Sequence, residues 1–227
     1  MNRNIPAITA VMLVIALIAS IFGSLIKNPT ASFADEAQKT VYLTFDDGPS
    51  DRVTPKILDI LNEEQIKATF FIVGKRAETR MGILKRAHDE GHSLGVHSYS
   101  HIYSEIYASK EALLDDILKC NNIIYRATGK YSNLYRFPGG SFGVEPELID
   151  AVKERGYKCI DWNASFRDCE IKGASSEQLF NEAIATSAGA NNIILLAHDA
   201  TDKVETVSAV KELIKRFKAL GYKFDKL

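Results

Sequence analysis

The chain has 227 residues, a formal net charge of −1 at pH 7 and 46% hydrophobic residues. That composition describes an ordinary globular domain, large enough for one well-buried core and too short for two comfortable ones. A near-neutral charge with no long basic run argues against nucleic acid as a partner.

Met1-Asn2-Arg3-Asn4 carries one basic side chain, and no charge follows from Ile5 to Ile26 until Lys27. Such a run is long for a signal-peptide core and about the length that spans a bilayer. Just downstream, Ser32-Phe33-Ala34 sets small residues where a signal peptidase needs them, with Asp35 following. Residues 1–34 are expected to be either a cleaved signal peptide or an uncleaved membrane anchor with its linker. Residues 35–227 are expected to form the working domain. Either option leaves Arg3 in the cytoplasm and puts the domain outside it, with membrane contact only through the N-terminal segment. The three cysteines, Cys120, Cys159 and Cys169, are an odd number. Buried free thiols are the default expectation, and a Cys159–Cys169 bridge stays open.

From Thr40 onward two kinds of segment alternate. Strand-like runs appear at Val41–Phe45, Ala68–Val73, Ser93–Val96, Leu134–Phe137, Lys158–Trp162 and Asn192–Ala197, and Tyr222–Phe224 offers a seventh. Helical spacing fills Pro55–Glu64, Lys75–Glu90, Lys110–Thr128, Glu145–Arg155, Ser176–Ala188 and Val204–Leu220. Thr54-Pro55 reads as an N-cap with proline at the first helical position, and Ser175-Ser176-Glu177-Gln178 as a capping box. Glu90-Gly91-His92, Arg155-Gly156-Tyr157 and Leu220-Gly221-Tyr222 each set a glycine just past a helix and just before a strand. This alternation predicts an α/β domain with a parallel sheet covered by helices, as a small distorted (β/α) barrel of about seven strands or an open doubly wound sheet. In either, functional groups gather at the C-terminal ends of the strands. Asp46 and Asp47, His97 and His101, Arg136, the stretch from Trp162 to Asp168, and His198 all fall there.

Thr44-Phe45-Asp46-Asp47-Gly48-Pro49 ends the first strand on two adjacent carboxylates. Like charges side by side at a strand terminus resist desolvation, and a bound cation supplies a reason to keep them. Taken alone the motif also reads as a solvated turn. His97-Ser98-Tyr99-Ser100-His101 sets two imidazoles four residues apart, where a helical turn lets both reach one ion. Two histidines plus Asp47 make the three-ligand set of a catalytic divalent-metal site, and Asp46 then has the chemistry of a general base.

With Arg136-Phe137-Pro138-Gly139-Gly140 and Leu196-Ala197-His198, these motifs fall in the order found in the polysaccharide deacetylases, which the chain resembles from about Thr40 to its end. This is carbohydrate esterase family 4, with its NodB-like domain. The resemblance implies a distorted (β/α) barrel, a divalent metal (usually zinc) and hydrolysis of N-acetyl groups from an N-acetylated sugar. It implies Asp47, His97 and His101 as metal ligands, Asp46 as base, His198 as general acid and Arg136 as the residue orienting Asp46. The backbone N–H of Gly139 would serve the oxyanion. Many family members carry tyrosine where Gly139 stands, which implies a more open groove here. Their fourth motif is often Trp-Asn-Val-Asp-Ser-x-Asp-Trp, whereas this chain has Trp162-Asn163-Ala164-Ser165-Phe166-Arg167-Asp168-Cys169. Asp168 is the candidate partner of His198, with Asp161 in reserve. Trp162 either lines the sugar groove or fills the barrel mouth, and Tyr99, Tyr103 and Tyr107 form either a stacking surface or a packed face. Asp199 is expected to point away from His198. The substrate expected is a cell-wall glycan, peptidoglycan first. Chitooligosaccharide, exopolysaccharide or a non-catalytic glycan-binding role are the alternatives.

Overall fold

β1 (Thr40–Asp46) is the centre of the sheet, and its odd residues Val41, Leu43 and Phe45 are fully buried. One edge pairs along its whole length with β7 (Asn192–His198), in a register that sets Asp46 beside His198. The other edge is shared. β2 (Thr69–Val73) takes its C-terminal half and β8 (Lys223–Asp225) its N-terminal half. β3 (Ser93–Ser98), β4 (Leu134–Tyr135), β5 (Lys158–Cys159) and β6 (Ala164–Ser165) complete a path β5-β4-β3-β2-β1-β7-β6, with every recorded pairing parallel. A computed structural model describes residues 38–227, so the expected export segment, 1–34, lies outside the described residues. No helix among the described residues is long and apolar enough to cross a membrane.

β5 and β6, at the two ends of the path, do not pair with each other. The α/β class and the curled parallel sheet agree with expectation, but the barrel is open where its last two short strands would have to meet. The expected strand Lys158–Trp162 stops at Cys159, and Trp162 lies in the connection to β6.

Eight helices are described: α1 (Thr54–Glu63), α2 (Gly74–Ala77), α3 (Met81–Asp89), α4 (Tyr103–Ile106), α5 (Lys110–Thr128), α6 (Pro146–Glu154), α7 (Ser176–Thr186) and α8 (Val204–Ala219). The expected helix Lys75–Glu90 is broken in two. Arg80 leaves helical geometry as its guanidinium reaches Asp51 at 2.7 Å and the Arg76 carbonyl at 2.9 Å. Thr54 is not the N-cap but the first residue of α1, because its hydroxyl is committed to Asp199. The Ser175–Gln178 capping box forms in full. Gly91, Gly156 and Gly221 take φ of 88°, 84° and 79°, the left-handed caps that stop three helices just before β3, β5 and β8. All three cysteines are free, so the Cys159–Cys169 bridge does not form.

His92 lies under this frame. It is buried, its Nδ1 accepts the Ala68 N–H at 3.1 Å, and its Nε2 has no partner. Burial, with Lys67, Lys226 and Arg86 nearby, presses its pKa down to about 4. A folded-state pKa below the unfolded value means the neutral form stabilises the fold, and that contribution is lost as pH falls from about 6.5 toward 4. Stability measured by urea unfolding is therefore expected to drop by about 2 kcal/mol between pH 7 and pH 5 on this account alone. His92→Asn, whose side-chain oxygen can accept the same N–H, should flatten that dependence. An equal slope in both proteins would clear His92 of the effect.

Candidate active site

The buried end of β1 depends on Arg136. Just past β4, this fully buried guanidinium donates from Nη1 to Asp46 Oδ1 and to Thr44 Oγ1, both at 2.8 Å. Its Nε donates to the Ile160 carbonyl at 3.0 Å and its Nη2 to the Asp161 carbonyl at 3.3 Å. Its face lies 4.2 Å from the Phe71 ring centroid. A buried ion pair is stable only when its remaining hydrogen-bonding capacity is satisfied, as here. Asp46 is thereby held by Oδ1, while Oδ2 lies 4.0 Å from His97 Nε2.

Asp47, His97 and His101 come together beside it, with one donor atom from each inside a mutual 4.8 Å. The helical turn expected from the His-x-x-x-His spacing is absent. His97 belongs to β3, and His101 lies in the loop beyond it with φ of 56°. Four residues of a strand end and a tight turn close the distance instead. The Asp116 carboxylate, reaching up from α5, shapes that turn. It accepts the Ser98 hydroxyl and Tyr99 N–H on Oδ2, both at 2.7 Å, and the Ser100 N–H on Oδ1 at 2.9 Å. Ser98 Oγ in turn accepts the His101 N–H at 2.8 Å.

The donor chemistry fits a divalent ion. His97 Nδ1 sits 2.8 Å from the Arg136 carbonyl, so it carries the proton and Nε2 keeps its lone pair. Burial lowers the His97 pKa, outweighing the pull of Asp46 and Asp47, and favours the neutral ligating form. Asp47 Oδ1 is buried with no hydrogen-bond partner, although His101 Nε2 comes within 3.1 Å and His97 Nε2 within 4.0 Å. Burial works to raise the Asp47 carboxyl, but His97, His101, His198 and Arg76 outweigh it and hold it below the usual range. Asp47 has φ of 76°, a left-handed conformation that aspartate adopts more readily than most residues but still at a cost.

Across the β1–β7 register stands His198. Its Nδ1 lies 2.7 Å from Asp168 Oδ1, and its backbone N–H donates to Asp168 Oδ2 at 2.9 Å. The Thr206 hydroxyl gives Oδ2 a further bond at 2.8 Å. Burial disfavours the imidazolium, yet the Asp168 bond prevails and raises the His198 pKa well above its ordinary value. Ser165 accepts the Arg167 N–H at 2.9 Å, and Arg167 turns with φ of 54°. That turn swings Asp168 back onto His198. Asp161, the reserve partner, binds Ser141 instead.

Asp199 does not simply face away. It is fully buried, accepts the Thr54 hydroxyl on Oδ2 at 2.6 Å, and donates its N–H to the Asp46 carbonyl at 3.0 Å. A Cβ on Gly48 would fall 2.2 Å from Asp199 Oδ2, so the Asp-Asp-Gly-Pro turn needs glycine for close approach. Burial raises the Asp199 carboxyl to about 7. Asp116 is a position that the sequence motifs missed, and Asp199 is one that its expected orientation left out of the candidate site. A sequence signal did exist for Asp116, an acid within the apolar stripe Leu113, Ile117, Cys120 and Ile124 of α5.

At the rim, Tyr103, Tyr107, Pro138, Gly139, Gly140 and Phe142 border a cavity of about 360 Å³. Phe142 is fully exposed. Trp162 backs a neighbouring cavity with Gly139, Gly140 and Phe142. The Tyr103 hydroxyl lies 3.1 Å from where a Cβ on Gly139 would stand, so its ring occupies space that a larger residue there would claim. Tyr103 packs edge-on against His101, whereas the Tyr99 hydroxyl turns away to Glu78.

Fold and site together define an α/β protein with a histidine–carboxylate cluster at the C-terminal ends of its parallel strands. Residues 34–160 match the family model described as polysaccharide deacetylase. The chain belongs to that family, and its class is that of the polysaccharide-deacetylating hydrolases. It is 31% identical over 204 residues to peptidoglycan-N-acetylmuramic acid deacetylase PdaA of Bacillus subtilis, covering 89% of this chain and 75% of that one. It is 32% identical over 189 residues to a peptidoglycan-N-acetylglucosamine deacetylase of Bacillus cereus, covering 82% and 85%. The catalytic domain of peptidoglycan N-acetylglucosamine deacetylase from Eubacterium rectale superposes with a TM-score of 0.78 at 35% identity, over 85% of this chain and 90% of that one.

Removing Asp116 should loosen the His101 turn without touching a donor atom. Asp116→Ala is expected to weaken zinc binding about 10- to 100-fold, the usual effect of losing a group that orients ligands. Zinc titration checks this. Unchanged affinity with only a lowered melting temperature would make Asp116 a packing residue.

Proposed function

We propose that the chain is an exported cell-wall deacetylase that removes N-acetyl groups from peptidoglycan amino sugars. Its strand-end cluster is the catalytic centre in this reading. The observation that carries the proposal is the joint presence, at the C-terminal ends of neighbouring parallel strands, of a three-donor cluster and two further groups. Those are a spare carboxylate fixed by arginine and an imidazole fixed by a second carboxylate. Binding alone would not call for all of them. Relatives named as peptidoglycan deacetylases support the substrate class, and the apolar run from Ile5 to Ile26 supports placement outside the cytoplasm, secreted or anchored.

Asp47, His97 and His101 would hold a divalent ion, with zinc the metal best suited to two imidazoles and a carboxylate. When bound, that ion supplies Lewis acidity toward the amide carbonyl. Asp46, held through Oδ1 by Arg136, takes the proton from the attacking water on Oδ2. His198 returns a proton to the amine as it leaves, since an amine is a poor leaving group until protonated. Asp168 keeps His198 in the proton-donating form and in one orientation. The Gly139 N–H contributes to the oxyanion that forms at the carbonyl oxygen. Trp162 and Tyr103 offer aromatic faces to the sugar, with Phe142 at the rim.

Two substitutions test the roles separately, with acetate release from peptidoglycan as the readout. Asp46→Asn should cut turnover by at least about 100-fold while zinc still binds. His101→Ala should lose both. Near-normal turnover in Asp46→Asn would remove Asp46 as the base.

The proton donor gives a pH signature. Activity should fall as pH rises through the raised pKa of His198. Asp168→Asn removes the principal group raising it, so the alkaline limb should move to lower pH and turnover at neutral pH should drop about tenfold or more. An unmoved limb would show that another group donates the proton.

A further inference from the structure

We propose that Asp47, Cys169 and His198 form a second metal site, preferring zinc and cadmium to magnesium, calcium or manganese, that shares Asp47 with the first. One donor atom from each of the three residues lies within 4.8 Å of the others. Zinc binds sulfur at about 2.3 Å and imidazole nitrogen at about 2.1 Å, so a shared ion sets such donors roughly 3.5 Å apart. Small rotations close that gap: Cys169 is an exposed thiol outside any disulfide, on the turn after Arg167, and its side chain already meets His198 and Lys203.

Two further observations point to a ligand. His198 commits Nδ1 to Asp168, outside the cluster, and leaves Nε2 as its only other ring nitrogen. A carboxylate behind one nitrogen is the arrangement that orients metal-ligating imidazoles through the other. Asp47 turns Oδ1 toward His97 and His101, and a carboxylate, having two oxygens, can bridge ions about 3.5–4 Å apart, as two-metal sites do. Sulfur and nitrogen donors favour zinc and cadmium over magnesium, calcium or manganese. As the ion binds, the thiol proton of Cys169 and any proton on His198 Nε2 leave to solvent.

The site has a consequence for turnover. An ion on Nε2 occupies the atom that would carry the proton to the leaving amine, so a second equivalent of zinc inhibits. That consequence rests on His198 as the general acid, whereas the second binding event does not.

The test is a titration of the full-length chain, reduced and stripped of metal, with cadmium and then zinc. Cadmium is followed by its ultraviolet thiolate charge-transfer band and both metals by bound stoichiometry. Two equivalents are expected, one of them accompanied by the thiolate band. Cys169→Ser should bind one equivalent and show no band. In parallel, acetate release should fall about 100-fold beyond one equivalent of zinc in the wild type and hold steady in Cys169→Ser. A single equivalent in the wild type, two equivalents with no thiolate band, or a band that survives in Cys169→Ser would overturn the second site. If two equivalents bind with that band but neither protein releases acetate, the second site stands and the deacetylase reading falls.

Discussion

The Arg136–Asp46 pair is the contact on which the site depends. Two adjacent carboxylates at the end of a buried strand repel each other and cannot be desolvated together without compensation. Arg136 compensates Asp46 with a short charged hydrogen bond and has its remaining donors satisfied by Thr44 and the Ile160 and Asp161 carbonyls. Breaking such a pair leaves an uncompensated buried charge, at a cost on the order of 3–5 kcal/mol. Because Arg136 leaves β4 and Asp46 ends β1, the bond also ties two separated strands of the sheet together at the end where the chemistry gathers. Asp47, uncompensated by arginine to the same degree, is left facing two imidazoles. In the proposed mechanism that asymmetry divides one Asp-Asp step into a held base and a metal ligand.

Around this contact the backbone is strained in an ordered way. Asp47, His101 and Arg167 all adopt positive φ, and each is followed by, or is itself, a residue of the cluster. Non-glycine residues in that region cost about 1–3 kcal/mol each and persist only where neighbours hold them. The holders can be named. Asp199 with Thr54 lies under the Asp47 turn, Asp116 with Ser98 braces the His101 turn, and Ser165 secures the Arg167 turn. All three are buried hydrogen-bonded groups that make no contact with a sugar in the proposed mechanism, yet they fix the donors.

Much of this was legible in the sequence because it is local. The Asp-Asp-Gly-Pro step, the glycine caps before β3, β5 and β8, the Ser175 capping box and the strand-end histidines are short-range patterns, and they placed Asp46, Asp47, His97, His101 and His198 in one neighbourhood. The family motifs identified Arg136 and singled out Asp168. What was not legible was long-range or irregular. Thr54 looked like a helix cap because its partner Asp199 lies 145 residues away. His-x-x-x-His suggested a helical turn because spacing cannot tell a helix from a strand end followed by a left-handed residue. β6 has two residues, too few to show periodicity, and without it the open edge beside β5 could not be seen. Ser165 stands where the family's fourth motif often has an acid, and only the structure shows that it supports the turn that delivers Asp168.

The most direct measurement is acetate release by the full-length chain from peptidoglycan and from N-acetylglucosamine oligomers. Each is assayed as purified, after chelation, and after one equivalent of zinc is restored. The account predicts release from peptidoglycan that disappears on chelation and returns with zinc. No release from either glycan while one equivalent of zinc is bound at Asp47, His97 and His101 would contradict it.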